Sequence, residues 1–474
     1  MVLYLMLALS ALFSLRAATA WRRGFVLMVL LAAVQDPLRK LVPGTPGWLV
    51  LITAPIFLAA VLVAMTRTKR LWGEFRDHFP AVARGLLLLP LLAIPAAFLS
   101  ATYGEGSWKL TLLGAFSYSI IFLAMIVGYH YARHLGELRR LLVVYCLVHA
   151  VMLSGALIEY LQLAPGWIVI GSRALGFEWV RWGSGYTVDM IAGFYRSADI
   201  MGWHAAAVCM LSLVLAMTGK GIRRRGWLVV SAFAVVALLL CGRRKMVFML
   251  PVFLLALGWM YWQAGRSGRV VALIGLLAIP MASVWFVGDL IGEDSANIRY
   301  YSGEGLQSSA LESIQAQGFG SVAETYRQTG LLGQGLGFAT PGSHNINAER
   351  PRAWQESAPS RIVSELGVPG ALGFLAVMMS IGLALWRLTV RQLRQRTPQG
   401  QYAAGLVAFF LANVGSLTVS GQVLADPFIS TFLGLLVGMA MSTPRLSEAK
   451  APSRRDVSVP ADPRERNIPG VQAR

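Results

Sequence analysis

Apolar runs alternate with short polar breaks along almost the whole chain. The runs fall near 2–16, 24–35, 47–65, 82–100, 110–130, 140–163, 198–217, 227–242, 246–262, 270–288, 366–386, 403–424 and 427–442. A hydrocarbon core about 30 Å thick is crossed by about 20 mostly apolar helical residues. Lipid offers no partner for backbone N–H and C=O groups, so such runs must be helical. Several are short, and the pattern predicts an all-α polytopic integral membrane protein with about 12–13 transmembrane helices. It divides the chain into N-terminal transmembrane helices over 1–163, a long loop over 164–197, helices over 198–288, a large loop over 289–365, C-terminal helices over 366–442 and a tail over 443–474. The tail is rich in Pro, Ser and charge without periodicity, and is expected to be disordered. The amino-terminal stretch MVLYLMLALSALFSLRAATA has no basic residues ahead of its apolar run, so it reads as a first span rather than a cleaved leader.

Alternate loops sort by charge. One set carries Arg22 and Arg23, Arg67 to Arg76, Arg133 to Arg140, Arg223 to Arg225, Arg266 and Arg269, and Arg387 to Arg396. The positive-inside rule makes that set cytoplasmic, with the carboxyl terminus on the same side and the amino terminus outside. The other set is poor in Lys and Arg except for GRRK at 242–245. Composition agrees with the pattern: 56% of the 474 residues are hydrophobic and 14% charged, against about a quarter charged in soluble domains. The net charge of +19 fits basic cytoplasmic loops together with sites for anionic partners. Its scatter between apolar spans argues against nucleic acid. Cys146, Cys209 and Cys241 all sit in apolar runs and suggest neither disulfides nor a metal site.

The polar segments of the basic-poor set are where chemistry is expected. Arg243, Arg244 and Lys245 stand between two apolar runs with almost no loop, so the helices must turn sharply with these cations at the interface. Snorkelling accounts for Lys245. The adjacent guanidinium groups also suit bidentate binding of a phosphorylated ligand. GLLGQGLGF at 330–338 spaces Gly333, Gly335 and Gly337 alternately; it is neither a dinucleotide fingerprint nor a P-loop. Those glycines either permit unusual backbone geometry or admit a substrate closely. His344 is either a solvated loop residue or a general base, its ordinary pKa of about 6.5 suiting proton removal near neutrality. Glu365 is read as a helix-dipole partner ahead of the next span, and Pro369 as a first-turn proline. His149 and His204, inside apolar runs, are read as structural. Gly434 and Gly438 are read as close helix packing. Trp167, Trp179, Trp182 and Tyr186 in the 164–197 loop are interfacial aromatics or saccharide-stacking platforms. Residues 308–328 are read as a helix lying along the surface. Asp289, Glu293, Asp294 and Glu304 lack metal-site spacing, so no metal is expected.

Together these segments resemble the O-antigen ligase and O-antigen polymerase superfamily. LLLCGRRKMVFMLP is similar to that family's small-residue, Gly, Ser, Arg turn, with Arg244 at the family arginine and Arg243 in place of the usual Ser. GLLGQGLGF resembles the family's glycine pattern, SHN its His-Asn, and ELGVPGALGFL its Glu-x-Gly-x-x-Gly lead into the next span. AGFYRSADIMGWHAA and ADPF are similar to motifs upstream and downstream. The likeness covers roughly the second half of the chain. His344 stands farther from Glu365 than is usual in the family, behind the insert NAERPRAWQES.

The resemblance implies a metal- and cofactor-independent, inverting glycosyltransferase of the family C type, in the bacterial inner membrane with its active site facing the periplasm. Its expected donor is a polyprenyl pyrophosphate-linked oligosaccharide and its acceptor a glycan or glycolipid, with membrane lipid and other polysaccharide assembly proteins as further partners. It implies His344 as the catalytic base and Arg244 with Arg243 as ligands of the donor pyrophosphate. Arg327, Arg299 and Arg196, in the outer loops, are secondary phosphate ligands. Two other classes remain open: a transporter or flippase for a lipid-linked or anionic polysaccharide, and a non-catalytic subunit of an assembly complex.

Overall fold

The computed structural model describes residues 1–176, 180–183, 186–266, 268, 320–343, 346, 357–417, 421 and 426–446, without the side chains of 180–188. The predicted span at 270–288, the acidic residues at 289–304 and all but the first residues of the tail lie outside them.

The first half of the chain forms α1 (Val2–Thr19), α2 (Trp21–Lys40), α3 (Ala54–Arg67, preceded by a 3-10 turn at Gly47–Leu51), the short α4 (Leu71–His78), α5 (Pro80–Ala101), α6 (Trp108–Tyr129) and α7 (Leu135–Tyr160). A hairpin of β1 (Val180–Gly183) and β2 (Tyr186–Asp189) interrupts the following loop. Then come α8 (Ala198–Thr218), α9 (Gly221–Leu240), α10 (Arg244–Val247), α11 (Met249–Gln263), α12 (Ser321–Thr329), α13 (Ala358–Arg394), α14 (Pro398–Leu417) and α15 (Pro427–Ser442). Among the described residues, ten helical segments are long and apolar enough to cross a membrane. The chain is an all-α polytopic membrane protein. α2 and α9 also have the length, but both carry clustered charge at an end.

Contacts between connections show that alternate loops gather at opposite ends of the bundle. At one end, Arg22 donates to the carbonyls of His130 and Tyr131 at 2.9 and 2.6 Å. Arg67 reaches Thr19 O at 2.7 Å, and the His130 ring meets Leu71 O at 3.0 Å. Gln399 joins the α13–α14 turn to Leu446 at 3.0 Å. These are the basic loops, and we call this end the basic face. The opposite end, the site face, gathers the C-termini of α2, α5, α7 and α9 and the N-termini of α6, α8 and α15.

Side-chain caps and small residues set this packing. Ser197, Ser357 and Asp426 accept the N–H of Ile200, Ser360 and Ile429 at 3.3, 3.3 and 2.8 Å, starting α8, α13 and α15. Pro359 and Pro427 follow in the first turns, where proline costs no hydrogen bond. α15 presses its glycines against α6: a Cβ on Gly434 would lie 2.1 Å from Ile121 O, and one on Gly438 2.0 Å from Met125 O. The close-packing reading of this pair holds.

α13 begins at Ala358, inside the stretch expected to be loop. It breaks at Gly367 (φ +66°), and Pro369 opens the first turn of the second segment. Arg361 and Phe374, on either side of the break, both meet the ring of Tyr118, at 5.6 and 6.0 Å. The chain therefore bends at Gly367 instead of entering as one straight span.

Candidate functional site

The GRRK turn is built as its spacing requires. α9 ends at Leu240, Gly242 adopts φ +68°, and α10 starts at Arg244. Gly202 of α8 lies so close that an added Cβ would meet Cys241 Sγ at 2.8 Å. Cys241 is fully buried, which makes it packing material rather than a nucleophile. The tight approach puts the turn's cations over the first turn of α8. Asp199 there receives Arg243 Nη2 at 2.9 Å and Lys245 Nζ at 2.8 Å. One carboxylate, itself favoured by the helix N-terminus, thus fixes two cations. Arg244 is half-buried beside them.

A second cluster lies three residues upstream. Arg196 lies between two buried carboxylates: Asp36 of α2, whose Oδ1 is 3.4 Å from Nη1, and Asp426, which also binds Nη2. Asp36 accepts the Arg196 backbone N–H as well, at 3.0 Å. Burial pushes the Arg196 guanidinium pKa down, but Asp426 and Asp36 outweigh it and move it up, so the group stays charged. One turn along α2, buried Lys40 donates to four carbonyls, those of Val169, Gly193, Phe194 and Tyr195, at 2.8–3.2 Å. Glu159 accepts the N–H groups of Ala192 and Gly193 at 3.0 and 2.6 Å. The end of α2 and the end of α7 therefore clamp the segment that delivers Arg196.

The glycine pattern has a packing explanation. Gly333, Gly335 and Gly337 take φ +74°, +100° and +82°. The segment threads between α5, α6 and α13: Leu336 N–H donates to Ala96 O at 3.0 Å, and Ser100 Oγ donates to Leu336 O at 2.5 Å. A Cβ on Gly337 would stand 2.0 Å from Leu110 O, and one on Gly333 2.7 Å from Ser364 O. These glycines serve helix contact. Gly337→Ala should lower stability by on the order of 3 kcal/mol, combining left-handed strain with overpacking. Thermal unfolding in detergent checks this; a midpoint equal to wild type would refute it.

Beneath that segment lies an ion pair the sequence reading missed. Arg361 and Glu365, one helical turn apart on α13, are 1% and 0% exposed. Arg361 Nε faces Glu365 Oε2 at 3.5 Å. Arg361 Nη2 donates to Ser117 Oγ of α6 at 2.9 Å and to Thr340 Oγ1 at 2.8 Å. Thr340 Oγ1 donates in turn to Glu365 Oε1 at 2.8 Å. Ser117 is nine residues into α6, roughly 13 Å from its site-face end at about 1.5 Å per residue. The glycine-rich segment therefore dips into the bundle and is held there by α13. Glu365 stands ahead of the helical segment that follows Gly367, as expected, and is also the buried counter-charge of Arg361.

The two intramembrane histidines also have partners. His149 and His204 stack at 4.0 Å between centroids. Tyr195 OH lies 3.0 Å from His149 Nδ1, and Tyr145 OH 2.9 Å from His204 Nδ1. The pair packs under the Arg196 segment, in line with the structural reading.

The structure brings Arg243, Arg244 and Arg196 to one face around the start of α8. Arg327, on α12, is 78% exposed and meets Glu324 at 3.6 Å. α12 covers the end of the stretch read as a surface helix. Arg299 and His344 lie outside the described residues, as do Trp179 and the side chains of Trp182 and Tyr186. Trp167 packs edge-on to Phe194 at 6.0 Å. Missed besides Arg361 were Asp199, Asp36, Asp426 and Lys40. The signal for them was an isolated charge in or beside an apolar run, which needs a partner. Compared with known proteins, the chain matches no family model, and no curated protein is significantly similar to it.

Proposed function

We propose that this chain is a glycosyltransferase that transfers or polymerises saccharide from a polyprenyl pyrophosphate carrier during surface polysaccharide assembly. The observation that carries the reading is the cation group of the GRRK turn, with Arg243 and Lys245 fixed by Asp199 and Arg244 beside them, at the end opposite the basic loops. With those loops cytoplasmic, the group faces the periplasm of the bacterial inner membrane. The motif resemblance supplies the reaction class. In an inverting displacement, an acceptor hydroxyl oxygen bonds to the anomeric carbon as the bond to the pyrophosphate oxygen breaks. The electron pair goes to that oxygen, where fixed guanidinium groups stabilise the growing charge. The hydroxyl proton goes to a base, the role proposed for His344.

Purified protein given polyprenyl pyrophosphate oligosaccharide and an acceptor should release the carrier and extend the glycan. Arg244→Ala should lower kcat about 100-fold or more, the loss typical of one transition-state donor. Wild-type rates in a correctly inserted Arg244→Ala protein would rule out the leaving-group role.

One observation favours the transporter reading. The break at Gly367 beside a buried Arg361–Glu365 pair is the kind of discontinuous helix that builds transport sites. Movement of a lipid-linked glycan across proteoliposomes without any covalent product would decide for transport.

A further inference from the structure

On the basic face, a crevice of ≈ 520 Å³ opens between the end of α11 and the last turns of α13. Arg387, Arg391, Arg394, Trp386 and Gln263 line it. The three arginines recur at i, i+4 and i+7, so they form one stripe along the helix. Arg394 is a wall: its Nε and Nη2 reach Gln263 O at 3.4 and 3.2 Å, closing the end of α11 onto α13. Trp386 Nε1 donates to Gln263 Oε1 at 3.0 Å. Among the described residues no carboxylate lines the crevice, and Arg387 and Arg391 form no ion pair. Helix-dipole complementarity and snorkelling explain basic residues at a helix end. They do not explain why three guanidinium groups and an indole line one concavity that no carboxylate lines among the described residues.

We infer that this crevice binds the phosphodiester headgroup of an anionic phospholipid in the leaflet on the basic face. Its volume is in the range of small-ligand sites. Arg387 and Arg391 present planar donors to the phosphate oxygens. Trp386 sits where an indole meets the glycerol region with its N–H already satisfied. Basic pockets between helix ends on the cytoplasmic side are suited to such headgroups. The bound lipid then bridges α11 and α13 at the end where Arg394 already holds them. The inference does not depend on what reaction the opposite face performs.

The test uses full-length protein in neutral detergent, with thermal unfolding followed as phosphatidylglycerol, phosphatidylcholine or inorganic phosphate is added. Phosphatidylglycerol should raise the midpoint by several degrees and the other two should not. In the double variant Arg387→Gln, Arg391→Gln, the lipid concentration giving half the shift should rise roughly 10- to 30-fold, at about 1 kcal/mol per arginine. Native mass spectrometry of the wild type should show phosphatidylglycerol retained where phosphatidylcholine is lost, a readout that needs no variant. Equal shifts from phosphatidylcholine, a full shift from inorganic phosphate alone, or an unchanged response in the double variant would each overturn the lipid site.

Discussion

Glu365→Met should cost about 3–5 kcal/mol of stability, because it leaves Arg361 charged and unmatched inside the bundle. Both side chains are buried, so water cannot take over from the lost carboxylate. Thr340 loses its acceptor at the same time, which loosens the glycine-rich segment as well as the helix. Arg361→Met should cost a similar amount by stranding Glu365. The double variant Arg361→Met, Glu365→Met should recover much of the loss, since replacing a buried pair by apolar groups of similar size is often near neutral. Thr340→Val removes only the bridging hydroxyl and should cost about 1–3 kcal/mol. Midpoints of thermal unfolding for the detergent-purified set measure all four effects. Coupling of the two Met changes is the decisive quantity: strictly additive losses would mean that Arg361 and Glu365 do not act as a pair.

That pair also marks how far the sequence could be read. Lipid forces long apolar runs into helices, so the spans among the described residues were legible, and so was the sorting of basic loops to one end. The GRRK turn was legible too, because two apolar runs with no loop between them leave a sharp turn as the only connection. Helix starts were partly legible: the apolar run read from 427 begins where Asp426 caps α15 and Pro427 fills its first turn. Ser357–Ala358–Pro359 carries the same signal, yet its polar surroundings disguised a buried helix as loop.

What polar residues do inside the bundle was not legible. Arg361 is 244 positions from Ser117, and Arg196 is 160 and 230 positions from its two carboxylates. No local period records such pairings. The glycines of 333–337 illustrate the other limit. Their alternate spacing announced unusual backbone, but only the fold shows that helices α5, α6 and α13 take up the space. Conversely, nothing about Lys40 in the sequence distinguishes a snorkelling end-of-helix lysine from one buried under four carbonyls.

Arg196→Ala should be the other large loss, and it should act on the site face in particular. Removing the guanidinium leaves Asp36 and Asp426 buried with one less cation between them, a cost of about 3–5 kcal/mol by the same unmatched-charge argument. The two carboxylates have separate duties that survive: Asp426 still caps α15 through Ile429 N–H, and Asp36 still accepts the backbone N–H of residue 196. The segment should therefore remain on α2 while its tie to α15 is lost. Lys40→Met attacks the same segment from its other side by stranding four carbonyls. It should release the 190–196 stretch without disturbing the Asp426 cap. Hydrogen–deuterium exchange distinguishes the two outcomes. Arg196→Ala should speed exchange at the start of α15 and spare residues 192–195, whereas Lys40→Met should speed exchange at 192–195 and spare α15. Because Asp199 follows Arg196 by three residues and fixes Arg243 and Lys245, Lys40→Met should also disturb the cation group. Unchanged exchange around 241–247 in that variant would show that the two clusters are mechanically independent, and that the clamp on α2 serves the fold alone.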